Sequence, residues 1–228
     1  MSGRVGSITT DIISDGLVFN MDAANRASYP KTGTIVFDTI TPTHYGSFNN
    51  DVAFNSSPPN FEFGLDGVDD YIEFNNTSTI NEPLTISFWY YTDDGTQIGQ
   101  LLSRGANDYE VYQHTSGNAL WTYIGGKYPL GTKISVVTNS WTNVTFTVVG
   151  DVQYSYQNGI LDKTNTLNGT PSFANGQPFT IGRRSQTSAQ YWDGSIASIQ
   201  LYNRPLSSNE VLHNYNALKG RFGLWVEE

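Results

Sequence analysis

The sequence predicts an all-β chain of antiparallel sheets, a sandwich or a barrel, carrying one short helix near its C-terminus. Three observations predict it. More than ten short apolar runs, rich in β-branched and aromatic residues, are punctuated by Gly, Asn and Pro. No helical period intervenes between them, so parallel sheets with crossover helices are excluded. Charged residues make up only 14 %, against about a quarter in ordinary globular chains, while Asn, Thr and Ser supply 66 of the 228 residues, as uncharged loops do.

In chain order, the strand runs are 16–21, 61–63, 71–74, 84–91, 109–113, 120–124, 134–137, 144–149, 152–157, 160–163, 179–182 and 195–202. Several alternate with period two, which turns one face inward and the other to solvent. In the 84–91 run, Leu84, Ile86, Phe88 and Tyr90 share a face. In the 195–202 run the alternation slips, leaving Ile196 out of phase with Ile199 and Leu201, and a bulge near Ala197 and Ser198 accounts for it. Between two runs, Asn158-Gly159 supplies the pair that tolerates positive φ at both central positions of a type I′ turn, so the flanking strands pair as a hairpin. Ser207-Ser208-Asn209-Glu210 reads as a capping box. Val211, Leu212, Tyr215 and Leu218 then form one apolar stripe over about three turns, Lys219 complements the C-terminal dipole, and Gly220 is the expected stop.

Composition removes several function classes. A net charge of −9, with Arg183-Arg184 the only adjacent basic pair, argues against nucleic acid as a partner. Zero cysteines exclude disulfides, thiol catalysis and Cys-based zinc sites. Apolar runs of four or five residues fall far short of the roughly 20 needed to span a membrane, so no membrane insertion is expected. The opening segment has no apolar h-region and so reads as lacking a signal peptide, which implies assembly in a cytoplasm. At this length about seven-tenths of the surface is buried on folding, enough for one large core.

Five motifs in order resemble laminin-G-like, concanavalin A-like domains. They are Gly64-Leu65-Asp66-Gly67-Val68-Asp69-Asp70-Tyr71-Ile72, Leu84-Thr85-Ile86-Ser87-Phe88-Trp89, Ser140-Trp141-Thr142-Asn143-Val144-Thr145, the Tyr156–Gly159 hairpin, and the run from Phe179 through Trp192-Asp193-Gly194 to Leu206-Ser207. The resemblance implies a two-sheet jelly-roll sandwich. Residues 16–30 and 214–223 are also similar to segments of virion structural proteins of tailed phages, notably marine cyanophages. The expected organisation is an N-terminal arm (1–15), one jelly-roll domain (16–220) and a C-terminal tail (221–228). Residues 1–14 read either as a frayed terminus or as a docking arm, and residues 221–228 either as a strand covering the core or as a docking arm.

Candidate chemistry is sparse. Some concanavalin A-like folds are glucanases, and retaining glycosidases need two carboxylates about 5 Å apart. The family's Glu-x-Asp-x-Glu strand is absent, and Asp108-Tyr109-Glu110 comes nearest. His44, His114 and His213 are far apart in sequence and no G-x-S-x-G elbow exists, so the chain is read as no enzyme. Asp66, Asp69 and Asp70 cluster in one turn: many laminin-G-like domains bind Ca²⁺, but the preferred reading is a turn that caps its own amides, with no cofactor required. For glycans, Trp121 and Tyr123 at alternate positions put two rings on one face, a sugar platform if outward and ordinary core if inward. Tyr109, Tyr112 and Tyr128 lie on the same middle strands, and Tyr191 and Trp192 form a second candidate rim.

The function expected from these readings is a non-enzymatic virion structural protein, as capsid decoration, head fibre or tail component. It would be held by other virion proteins and would display a lectin-like domain for weak, multivalent adhesion to host-surface glycans. A free carbohydrate-binding lectin or adhesin is the alternative, with a glycan hydrolase behind it. An oligomer is compatible with all of these.

Overall fold

Alternation and turn chemistry build the elements the sequence predicts, and tertiary pairing adds four more. The computed structural model describes residues 11–56, 61–75, 82–114, 118–174, 177–187 and 189–224. Among these, the strands are β1 (Leu17–Asp22), β2 (Ile35–Phe37), β3 (Tyr45–Asn49), β4 (Ala53–Asn55), β5 (Glu62–Asp66), β6 (Tyr71–Phe74), β7 (Thr85–Tyr91) and β8 (Gly99–Ser103). They continue with β9 (Tyr109–His114), β10 (Ala119–Ile124), β11 (Ile134–Ser135), β12 (Thr142–Val149), β13 (Val152–Gln157), β14 (Ile160–Thr166), β15 (Phe179–Ile181) and β16 (Asp193–Tyr202), before one helix, α1 (Ser208–Leu218).

Two antiparallel sheets result. The first runs β14-β13-β12-β7-β16-β5-β4 and the second β11-β10-β9-β8-β15-β6-β3-β2. The long β16 holds β5 along its first half and β1 along its last, with β7 on the opposite edge. Its register shifts between Ile196 and Ser198, which is the bulge the slipped alternation predicts. At the β13–β14 turn Asn158 and Gly159 have φ of 50° and 77°, as a type I′ turn requires.

Between the sheets lies an aromatic core. Phe19 meets Phe74 and Phe179 edge-on at 5.0 and 5.2 Å, joining β1 of the first sheet to β6 and β15 of the second. Toward the β13 edge the interior turns polar: the buried Thr122 hydroxyl donates to Gln153 Oε1 (2.8 Å), and Gln153 Nε2 donates to Ser155 Oγ (3.2 Å). Buried polar groups need their partners, so this link penalises any slip of one sheet over the other.

The four strands missed by pattern are β2, β3, β4 and β8. Two have only three residues, β3 contains Gly46 and Ser47, and the pairing of β8 with β9 shifts register between Gln100 and Leu102. Their order comes from neighbours rather than from local propensity. His44 is buried with Nδ1 3.4 Å from Asp38 Oδ2.

Helix α1 starts with the predicted capping box: Ser207 Oγ accepts from the Glu210 amide, and Glu210 Oε2 accepts from the Ser207 amide at 2.8 Å. Two details of the predicted helix are corrected. Leu212 is 42 % exposed, because the helix instead turns Asn214 inward, where its side chain donates to the Tyr202 hydroxyl (2.9 Å) and accepts from the Ile13 amide (2.8 Å). Gly220 does not stop the chain, which continues as a 3₁₀ turn over Lys219–Phe222 and ends at Gly223 with φ 70°. Packing drives the extension: the Phe222 ring stacks on Trp89 at 4.0 Å and 16°.

Residues 221–224 therefore cover the first sheet as the end of a 3₁₀ turn and not as the expected strand, with Arg221 Nη1 donating to both oxygens of Asp22 at 2.8 and 2.7 Å. Residues 1–10 and 225–228, which include most of the N-terminal arm and the end of the tail, lie outside the described residues. The helix and the 3₁₀ turn thus seat on Trp89, Tyr156 and Tyr202 and close the outer face of the first sheet there.

The helix start is acid-sensitive. Hydrogen bonds from Arg204, whose Nη2 lies 2.6 Å from Glu210 Oε1, together with the Ser207 cap pull the Glu210 carboxyl down to about 2. A depressed carboxyl stabilises the fold above its unfolded value of 4.5 and loses that contribution as pH falls toward 2. Glu210→Gln should therefore flatten the fall of the thermal midpoint between these pH values while lowering it at neutral pH. Parallel curves for the two proteins would show that the pair contributes nothing.

Candidate functional site

The outer face of the second sheet carries the feature that the first sheet lacks, a row of rings with no helix over it among the described residues. In β9, Val111 and Tyr109 point inward, which turns Glu110, Tyr112 and His114 out. In β10, Leu120 and Ile124 point inward, which turns Trp121 and Tyr123 out. Antiparallel register sets Trp121 opposite Tyr112 and Tyr123 opposite Glu110. The half-buried rings pack side by side: Tyr112 lies 6.3 Å from both Trp121 and Tyr123, His114 lies 5.4 Å from Trp121, and Tyr128 meets Tyr123 edge-on at 5.8 Å. Lys133, next to β11, places Nζ 4.2 Å from the centre of the Trp121 ring and donates to the carbonyls of Pro129 (2.8 Å) and Gly131 (2.9 Å).

Polar atoms in the same row lack partners. Gln100 of β8 stands opposite Tyr112 on the other side. Its Oε1 and the Trp121 indole N–H are buried and have no hydrogen-bond partner among the described residues. Burial, with Tyr123 and Glu110 adding to it, pushes the Tyr112 hydroxyl up to about 12, so it remains a neutral donor at ordinary pH. Burial pulls the Lys133 ammonium below its usual value.

A loop borders the row. Arg184 Nε lies 3.4 Å from Glu110 Oε1, which also accepts from Ser103 Oγ (3.0 Å), and Ser185 Oγ lies 3.1 Å from Ser103 Oγ. Further along the face, Arg183 pairs with Glu73 (3.0 Å) and stacks 3.8 Å over Tyr71, whose ring lies 6.5 Å from that of Tyr191.

The structure thus brings Trp121 and Tyr123 together facing outward and leaves Tyr191 half-buried at a separate rim. Two residues predicted for a glycan surface are corrected. Tyr109 has 0 % exposure and faces the core against Phe179, because it shares the inward parity of Val111. Trp192 also has 0 % exposure and packs edge-on against Tyr90 at 5.9 Å, inside the sandwich. His114 and Lys133 join the row unforeseen: His114 shares the outward parity of Tyr112, and Lys133 lies in the loop before the predicted 134–137 run, of which only Ile134 and Ser135 pair as a strand.

Elsewhere the candidate acidic residues sit among local hydrogen-bond partners. Asp66, Asp69 and Asp70 each bring a carboxylate oxygen within 4.8 Å of the others. However, Asp66 Oδ1 accepts from the amides of Val68, Asp69 and Asp70, and Asp70 Oδ1 accepts from the Asp51 amide at 2.8 Å. The Val68 amide leads in holding Asp66 low, while burial and then the Asp66 charge push Asp70 up. One oxygen of Asp66 and one of Asp70 thus cap backbone amides, as happens in a turn that closes on its own N–H groups. Asp108 and Glu110 are buried: Asp108 accepts from the Ala174 amide (2.6 Å) and lies 3.9 Å from Arg104, and Glu110 is held as described. Both carboxylates are nearly inaccessible, Asp108 at 2 % and Glu110 at 1 % exposure.

The family model described as Concanavalin A-like lectin/glucanases superfamily matches residues 66–212. No curated protein matches the chain. Among solved structures, the chain is similar to domain 4 of a GH43 extracellular arabinanase from Geobacillus stearothermophilus, in complex with arabinotriose. Identity is 16 %, TM-score 0.64, and coverage 87 % of this chain and 98 % of that one. It is also similar to the binding domain of botulinum neurotoxin serotype D (15 % identity, TM-score 0.61, 89 % of this chain and 52 % of that one). A Trypanosoma rangeli sialidase in complex with the inhibitor DANA is matched at 14 % identity and TM-score 0.58, over 90 % of this chain and 33 % of that one. At these identities the likeness is one of fold, and the chain spans only about half and a third of the last two proteins.

Proposed function

The chain belongs to the Concanavalin A-like lectin/glucanases superfamily, and from that membership we propose that it is a non-enzymatic glycan-binding module. Its contact surface is the row Tyr112, Trp121 and Tyr123. The observation that carries this reading is the difference between the two outer faces. One is covered by α1 and Phe222, and the other presents the half-buried rings of Tyr112, Trp121 and Tyr123 beside the Tyr112 hydroxyl and the Lys133 ammonium. Saccharides need both kinds of partner, an apolar surface for their C–H edges and fixed hydrogen-bond groups for their hydroxyls. The arabinotriose held by the arabinanase domain of similar fold supports the same reading.

Trp121→Ala combined with Tyr123→Ala removes two rings that contribute about 0.5–1.5 kcal/mol each, so retention on a glycan array should fall roughly 5- to 150-fold. Unchanged retention by a folded double variant would refute the surface.

The finer proposal is display on a tailed-phage particle, as capsid decoration, head fibre or tail component, where many copies make weak adhesion to host-surface glycans effective. It rests on the sequence likeness of residues 16–30 and 214–223. These two segments meet in space through the Asp22–Arg221 pair, which supports treating them as one unit. Deleting residues 1–10 or 225–228 spares Phe222 and Arg221. Such deletions should abolish incorporation into particles while leaving the thermal midpoint within a few degrees, and normal incorporation of both would sink the anchoring role. A free lectin would use the same aromatic row without any particle.

A further inference from the structure

Charge around the aromatic row runs against the charge of the whole chain. The protein carries −9, yet the sequence from β9 through β11 (109–135) holds one acidic residue, Glu110, against Lys127 and Lys133, and the neighbouring Asp94 meets it through its backbone carbonyl, 3.1 Å from Gln113 Nε2. The strands of the second sheet contain two carboxylates, Glu73 and Glu110, and each has an arginine within 3.4 Å. Lys133 differs from these arginines, because the oxygens it meets are the neutral carbonyls of Pro129 and Gly131. Those two bonds fix the ammonium over Trp121, so it is a held charge and not a mobile surface lysine. Two of its three N–H bonds are used, which leaves one for a ligand.

We propose that the glycan held by this row is acidic, its carboxylate or sulfate group meeting Lys133 at the β10–β11 border while the sugar ring lies along Trp121, Tyr112 and Tyr123. The inference rests on the reading of that row as the saccharide surface. A neutral sugar would leave a fixed, partly desolvated ammonium with carbonyl partners alone, whereas an anion completes it with a charge-assisted hydrogen bond. The excess negative charge elsewhere repels acidic polymers from the rest of the surface and so confines them to this face.

The test is an array of matched saccharides: neutral oligogalactosides, their galacturonate counterparts and their sulfated counterparts, probed with the wild-type protein, Lys133→Met, Lys133→Arg and Trp121→Ala. The wild type should retain an acidic member about tenfold more strongly than its neutral match at 50 mM salt, with the preference shrinking at 0.5 M. Lys133→Met keeps the stem on Trp121 and should erase the preference, while Lys133→Arg should keep it. The uronate and sulfate arms identify which anion is read. Equal retention of neutral and acidic members, lost in Trp121→Ala, would overturn the acidic preference and leave the aromatic surface standing. Retention of no saccharide at all would overturn both.

Discussion

Trp89→Ala is expected to lower the thermal midpoint by roughly 6–20 °C, the effect of about 3–5 kcal/mol in a chain of this size. Trp89 points away from the inter-sheet core and is nonetheless 0 % exposed, because Phe222 stacks on it at 4.0 Å and Tyr215 lies nearly parallel at 5.6 Å. Its indole N–H has no partner among the described residues, so truncation sacrifices packing and no hydrogen bond. Phe222→Ala should destabilise in the same way, and the two changes should not add, since each removes the other's stacking partner. Glycan retention by the folded fraction should be unchanged, because Trp89 and the aromatic row lie on opposite outer faces. A fall of under a degree for Trp89→Ala would mean that the C-terminal segment does not seal the first sheet.

The second large effect is expected at Asp108. Asp108→Ala should cost about 3–5 kcal/mol, as removal of one partner from a buried ion pair does. Asp108 and Arg104 are 2 % and 3 % exposed and 3.9 Å apart, and the Asp108 carboxylate also accepts from the Ala174 amide. Asp108→Asn keeps an oxygen for that amide and should recover part of the loss. Denaturant titration of the two variants separates these outcomes. The pair also bears on catalysis, since Asp108 belongs to the one segment that approaches a glucanase pattern. A stable Asp108→Ala protein that loses turnover of a polysaccharide would contradict the structural role and favour a hydrolase.

The sheets were largely legible because inward parity leaves a period-two trace: Ile86, Phe88 and Tyr90 announce β7, and the slip at Ala197 and Ser198 announces the bulge of β16. Local chemistry also announced the Asn158-Gly159 turn and the Ser207 cap. The edge strands β2 and β4 were not legible, since three residues carry no period and their pairing is tertiary. The same limit explains the misplaced stop of the helix: Gly220 is a good local signal, but the pull of Trp89 on Phe222 overrides it. At the site, alternation placed Trp121 and Tyr123 on one face without saying which face, because only the opposite sheet defines inside. Tyr109 and Trp192 were lost to the core for that reason, and Lys133 came to the row through a loop that no motif marks.

Mapping where a saccharide touches the protein tests the central claim most directly. Amide and side-chain NMR shifts would be followed while an array-selected oligosaccharide is added. The account predicts the largest shifts at Tyr112, His114, Trp121, Tyr123 and the Gln100 amide, with residues around Asp66–Asp70 and the groove that Asp22, Asn25, Gln200 and Leu218 line beside the helix nearly still. Shifts concentrated at that turn or that groove, with the aromatic row unmoved, would contradict it.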